Sequence, residues 1–176
     1  MTPEQQNALP HTLGEYRCQV AHSVFLFGYS YFEAFLADLM RAILHRRPAI
    51  LPQACELKYS EILECGGYDA VIDRMVEKEV LAVFHGSMTD TAAYLAKRLQ
   101  VPWPEDGGRP ALVQASLVRN CLLHNGGRVE ARLTQVSTWQ AGDRIELSPS
   151  DVHEYGIEAR DVAERLWHAA QAKHLE

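Results

Sequence analysis

Apolar residues recur along the chain at three- and four-residue steps, the spacing that places side chains on one face of a helix. The longest such stretch runs from about Thr12 to Arg47, with Val20, Val24, Phe27, Tyr31, Phe35, Leu39 and Ile43 in step. Pro10 precedes it and Pro48 ends it, since proline lacks the amide that a helix interior uses. A helix of about 35 residues would be about 50 Å long, whereas a globule of this size is only about 40 Å across. Either the helix breaks near Gly28-Tyr29-Ser30, or it projects beyond its own domain and packs on a partner. Its aromatic residues (Phe25, Phe27, Tyr29, Tyr31, Phe32, Phe35) spread wider than one stripe. That spread predicts core on one side and a subunit contact on the other.

Further elements follow from the same pattern. Pro48 and Pro52 mark 48–58 as a loop, and a short helical turn at Ser60–Glu64 ends at Gly66-Gly67. Tyr68–Phe84 reads as a helix with Val71, Met75, Leu81 and Val83 inward and Asp69, Asp73, Glu77 and Glu79 outward. Gly86 closes it, and Thr89 or Asp90 can cap another short helix to Leu99. Pro102, Pro104, Gly107 and Gly108 form a break, after which Pro110 opens a helix to His124 that Asn125-Gly126-Gly127 stops. The segment 129–147 is irregular or β, with Arg144–Leu147 readable as a short strand. Ser148-Pro149-Ser150-Asp151 caps a last helix carrying Val162, Leu166 and Ala169 to about Ala172. The expected fold is all-α: a bundle of five or six helices with a long first helix and a small irregular or β insertion before the last. It forms one domain over 1–176, with 1–11 as a flexible N-terminus.

Composition narrows the function. With 17 Lys and Arg against 23 Asp and Glu, the net charge is -6, which argues against broad coating of nucleic acid or an anionic membrane. The four cysteines (Cys18, Cys55, Cys65, Cys121) are widely spaced, with no Cys-x-x-Cys pair and no secretory apolar segment before them. Zinc-finger and redox motifs fail on that spacing, and a cytoplasmic protein with reduced thiols is expected. No apolar run approaches the length of a membrane span. No metal or other cofactor is expected, because His22, His168 and His174 lack ligand partners at metal spacing and the glycine pairs lack the residues of a phosphate loop.

Arg119-Asn120-Cys121-Leu122-Leu123-His124-Asn125-Gly126-Gly127 is the most informative run. Asn120 and His124 are four apart and share a helix face, while Arg119 lies about 140° from His124 and would flank the same cleft. Leu117, Val118, Leu122 and Leu123 supply the buried side, so polar groups here need partners. A plainer account also exists: a histidine suits a helix C-terminus, and Asn-Gly-Gly is an ordinary helix stop. From Arg109 to Leu133 stand four arginines and Glu130 alone among acids, a local charge of +3 within a total of -6. Arg41, His45, Arg46 and Arg47 form a second basic cluster, which compensation of the helix dipole also explains.

Arg119-Asn120-x-x-x-His124 near the end of a helix resembles the signature of the HEPN superfamily (higher eukaryotes and prokaryotes nucleotide-binding). Tyr31-Phe32-Glu33 in a long first helix, the continuation Asn125-Gly126-Gly127, and Gly142-Asp143-Arg144-Ile145-Glu146-Leu147-Ser148 before a closing helix agree with it. The resemblance spans roughly residues 12–172, and its specificity rests on 118–127. It implies a metal-independent endoribonuclease that cleaves RNA by attack of the 2′-OH, a toxin or an antiphage or stress-response effector. His124 would then be the general acid or base, and Arg119 would stabilise the charge on the phosphate. Asn120 would orient the imidazole or bind phosphate, and Asn125 would assist. Glu33 would contact Arg119 or Asn120, or stand exposed. Arg128 and Arg132 would extend the RNA path, or simply be solvated.

One histidine per chain is little equipment for proton transfer on both sides of a scissile bond. The resemblance implies a homodimer with Arg119 and His124 of both chains lining a shared groove, and an antitoxin or nucleotidyltransferase-type partner. The alternative is a non-catalytic HEPN-like module that binds nucleotide, RNA or a protein.

Overall fold

The computed structural model describes residues 3–104 and 108–175, with side chains described over 14–104 and 110–175. It is all-helical, as expected. Among the described residues there are six α-helices: α1 (Pro3–Arg46), α2 (Tyr59–Glu64), α3 (Tyr68–Phe84), α4 (Met88–Lys97), α5 (Gly108–His124) and α6 (Pro149–Ala170). A five-residue π-helical turn, Gln171–Leu175, follows α6. The Gly107 part of the expected break lies outside the described residues.

α1 begins at Pro3, ahead of the expected start at about Thr12. It continues unbroken through Gly28-Tyr29-Ser30. Gly28 is tolerated mid-helix because the cost of one glycine is only about 1 kcal/mol and the buried Phe25, Tyr29 and Phe32 anchor the helix on either side. The chain comprises two compact units. One comprises Met1–Phe32 and Pro110–Arg160, the other Glu33–Arg109 and Asp161–Glu176, so α1 and α6 contribute to both.

In the first unit α1 buries Ala21, Phe25, Tyr29 and Phe32, not Val20, Val24, Phe27 and Tyr31 of the expected stripe. α5 buries Leu112, Ala115, Val118 and Cys121. Phe25 meets the edge of Tyr155 on α6 at 5.3 Å between ring centroids. The segment after α5 folds back on itself: Val129 N–H donates to the Asp143 carbonyl, Gly142 N–H to that of Val129, and Ile145 N–H to that of Gly127. The result is one antiparallel bridge, Arg128 to Arg144, and no strand among the described residues. Ile145 and Leu147 are buried while Arg144 and Glu146 are exposed, so the alternation that suggested a strand is real. Its partner leaves after one residue, into the turn at Ala131-Arg132, and no ladder can grow. Ser148 caps α6 as expected, accepting from Asp151 N–H while its own N–H donates to the Asp151 carboxylate at 2.7 Å.

In the second unit the core is built from Leu36, Leu39, Met40, Ile43 and Leu44 of α1 with Val76, Val80, Ala92, Leu95, Val162 and Leu166. α3 therefore buries Val76 and Val80, while Leu81, expected inward, is 59% exposed. Glu77, expected outward, accepts two hydrogen bonds from Arg41 at 2.6 and 3.0 Å. That pairing holds its carboxyl below the usual carboxylate range. The cap of α4 is Ser87, one position before the helix, in a reciprocal box with Asp90. Thr89 and Asp90, the expected caps, lie inside the first turn. The basic cluster at the end of α1 is largely consumed locally: Arg47 donates to the Lys173 carbonyl at 3.0 Å, and His45 lies 3.4 Å from Asp73. The buried His174 donates from Nε2 to the Leu99 carbonyl at 2.6 Å, tying the end of the chain to the loop after α4.

Candidate functional site

The burial of every third residue from Leu112 to Cys121 fixes how α5 is turned. Arg119 and Asn120 come to lie half-buried, and Leu123 and His124 emerge exposed in the last turn. The helix then stops on backbone geometry. Asn125 and Gly127 N–H both donate to the Cys121 carbonyl, and Gly126 and Gly127 have φ of 59° and 73°. Two successive left-handed residues are readily available only to glycine. The turn sends the chain back toward the Arg128–Arg144 bridge.

Arg119 is held from two sides. Its Nη1 donates to Asn120 Oδ1 at 2.9 Å, and its guanidinium carbon lies 6.0 Å from the centroid of the Tyr29 ring, within cation–π range. Tyr29 stacks on Phe25 at 6.2 Å and 28°, and Phe25 meets Tyr155 in turn. The phenol of Tyr155 is pushed up to about 12, first by burial and then by the neighbouring Asp151 and Glu154. A row of three rings, two from α1 and one from α6, thus backs the guanidinium. Sequence reasoning did not assign Tyr29, Phe25 or Tyr155 to the site. The four-residue step from Phe25 to Tyr29 marks a shared face, but nothing in the chain says that α5 lies against it.

His124 is exposed and, among the described residues, has no hydrogen-bond partner. Asn120 accepts from its neighbour Arg119, and no hydrogen bond between Asn120 and His124 is seen. Asn125 closes the turn, its side-chain amide donating to the Arg128 carbonyl at 2.8 Å. Arg128 donates to the Gly142 carbonyl at 3.1 Å, which spends part of its fork on the fold. Arg132 is exposed at the start of a short 3-10 turn. Glu33 is half-buried on α1 and is the first residue of the second unit, whereas the other candidates belong to the first.

All four cysteines are free thiols. Burial raises the Cys121 thiol on α5 above its ordinary value, which suits packing and not nucleophilic attack. Among the described residues no group of three or more His, Cys, Asp or Glu is placed to hold a metal ion. No described helix is long and apolar enough to cross a membrane. Comparisons with family models, curated proteins and solved structures found no match.

Proposed function

We propose that the protein is a metal-independent endoribonuclease of HEPN type, acting at the C-terminal end of α5. What supports this reading is the pairing of an anchored cation with an exposed imidazole one and a half turns later. Arg119 is pre-positioned by Asn120 and Tyr29. A guanidinium fixed in advance stabilises developing phosphorane charge without reorganising at the moment of reaction. His124 stands in solvent within the same helix end, where an imidazole can take the 2′-OH proton or protonate the departing 5′-oxygen. Arg132, also exposed on this side of the sequence, would meet flanking phosphates. The protein would work as a homodimer, as a toxin or an antiphage or stress-response effector, restrained by an antitoxin or a nucleotidyltransferase-type partner.

One observation favours the second reading, an HEPN-like module that binds nucleotide, RNA or protein without cutting. Arg119 is already engaged within the fold, as a purely structural arginine would be. The two readings part on one experiment. Purified protein is incubated with structured and unstructured RNA in EDTA, beside His124→Ala and Arg119→Ala. The nuclease cleaves in EDTA, and each substitution lowers the rate by about 10²–10⁴-fold. Identical RNA profiles from wild type and His124→Ala reject it, and RNA retention without cleavage selects the binding module.

A further inference from the structure

On the side of α1 away from its core face, Tyr16, Val20, Val24, Phe27 and Tyr31 are all exposed, Phe27 to 70% and Tyr31 to 76%. At about 100° per residue they fall within a sector of about 80°, roughly opposite Tyr29. Between Arg17 and Glu33 there is no charged residue on any face. The centres of interfaces are depleted of charge in the same way. The absence of Lys and Arg from this run also distinguishes it from helices that lie on membranes.

We propose that this stripe is the seam of a two-fold homodimer, with α1 of one copy packed antiparallel on α1 of a second. The proposal builds on the homodimer put forward above and assigns its surface. Four features select a second copy as the occupant.

The stripe matches its own reverse. With the two-fold axis between Ser23 and Val24, Tyr16 faces Tyr31 of the other copy and Val20 faces its Phe27. Each pair thus occurs twice, valine on phenylalanine and tyrosine on tyrosine, the reciprocal pairing that an isologous contact requires. A receiving groove is also present. Tyr16, Arg17, Val20, Ala21 and Val24 of α1, with Pro149 and Val152 of α6, line a groove of about 430 Å³ on the stripe's flank, where the second copy's Phe27 arrives.

Polar groups at the edge are already satisfied. Ser23 Oγ donates to the Gln19 carbonyl at 3.0 Å and Ser30 Oγ to that of Leu26 at 2.8 Å, so covering them strands no donor. The area suffices as well. Buried aromatic side chains contribute about 150–250 Å² each. The three exposed rings of both copies with their valines therefore reach roughly 1,000 Å², the lower bound for a specific interface. Because Arg119 packs on the Tyr29 side, this seam joins the helices without bringing the two Arg119 side chains together.

Sedimentation velocity of the full chain from about 1 to 100 µM tests the seam. The expected result is a dimer that Val24→Asp weakens by about 100-fold with helical circular dichroism unchanged, since two carboxylates then face each other at the axis. Val20→Lys and Phe27→Glu should each weaken it, and the double variant should recover to within about tenfold of wild type, because this register pairs position 20 with position 27. A monomer at 100 µM overturns both the seam and the homodimer. A dimer indifferent to Val24→Asp overturns the seam alone, and a double variant no better than the singles overturns the antiparallel register. Binding to a different protein while the chain alone stays monomeric counts against the proposal in the same way.

Discussion

Phe25 and Phe27 are two residues apart on α1, as are Tyr29 and Tyr31, yet the first of each pair is 4–5% exposed and the second 70–76%. The two faces of the helix carry similar side chains and meet opposite surroundings. Behind Phe25 and Tyr29 stand Tyr155 and Arg119. Nothing of the described first unit covers Phe27 and Tyr31. Hydrophobicity alone therefore does not choose the core face. The choice falls to the face that offers specific partners: an edge-on ring, a guanidinium for a π face, and the Ile145 carbonyl that accepts from His22 Nε2 at 3.1 Å.

This contrast can be broken most sharply by truncating one ring on each face. Phe25→Ala should cost about 3–5 kcal/mol in urea unfolding, the range for a large buried aromatic. Phe27→Ala, measured at a concentration where the chain is monomeric, should stay within about 0.5 kcal/mol. Equal losses would mean that the exposed face is part of the monomer's own core.

A second test uses the histidine on the core face. Burial lowers the pKa of His22 below its ordinary value near 6.5, outweighing the carbonyl of Ile145, with Arg144 adding to the depression. The unfolded chain then binds the proton more readily than the folded one. Stability is full above about pH 6.5 and declines as the pH falls through that value. Thermal unfolding of wild type and His22→Gln between pH 5 and 8 should show the decline in wild type and a flatter profile in the variant. Parallel profiles would remove His22 from the account.

The smallest effect concerns Gly28, which lies mid-helix on the uncovered side. A Cβ built there meets nothing within 4 Å. Gly28→Ala should raise stability by about 0.5–1 kcal/mol through the unfolded chain's entropy, read as a small rise in Tm. Gly127→Ala should have the opposite sign despite its similar openness, because φ there is 73°.

Much of this was legible locally. Ser148-Pro149-Ser150-Asp151 reads as a reciprocal cap because the two bonds involve only residues three apart. Asn125-Gly126-Gly127 reads as a stop because glycine's backbone freedom is its own property. Arg119, Asn120 and His124 stood out as polar groups among core-type residues. Ser87 was missed because Thr89 and Asp90 carry similar capping chemistry two and three positions later. The ion pair of Glu77 was not legible because its partner, Arg41, is 36 residues away on another helix. The backing rings Phe25, Tyr29 and Tyr155 were invisible for the same reason, since no periodicity within α1 reports where α5 and α6 pass.

By itself, then, the sequence determined the helices, their caps and stops, and the run of residues with chemical potential, all interactions that span only a few positions. Tertiary structure alone decided which apolar face of α1 became core and which rings back Arg119. It also decided that the strand-like alternation at 144–147 collapses to one bridge. Each of those depends on a group brought close by folding, and burial, ring contacts and hydrogen bonds act only between groups already in contact.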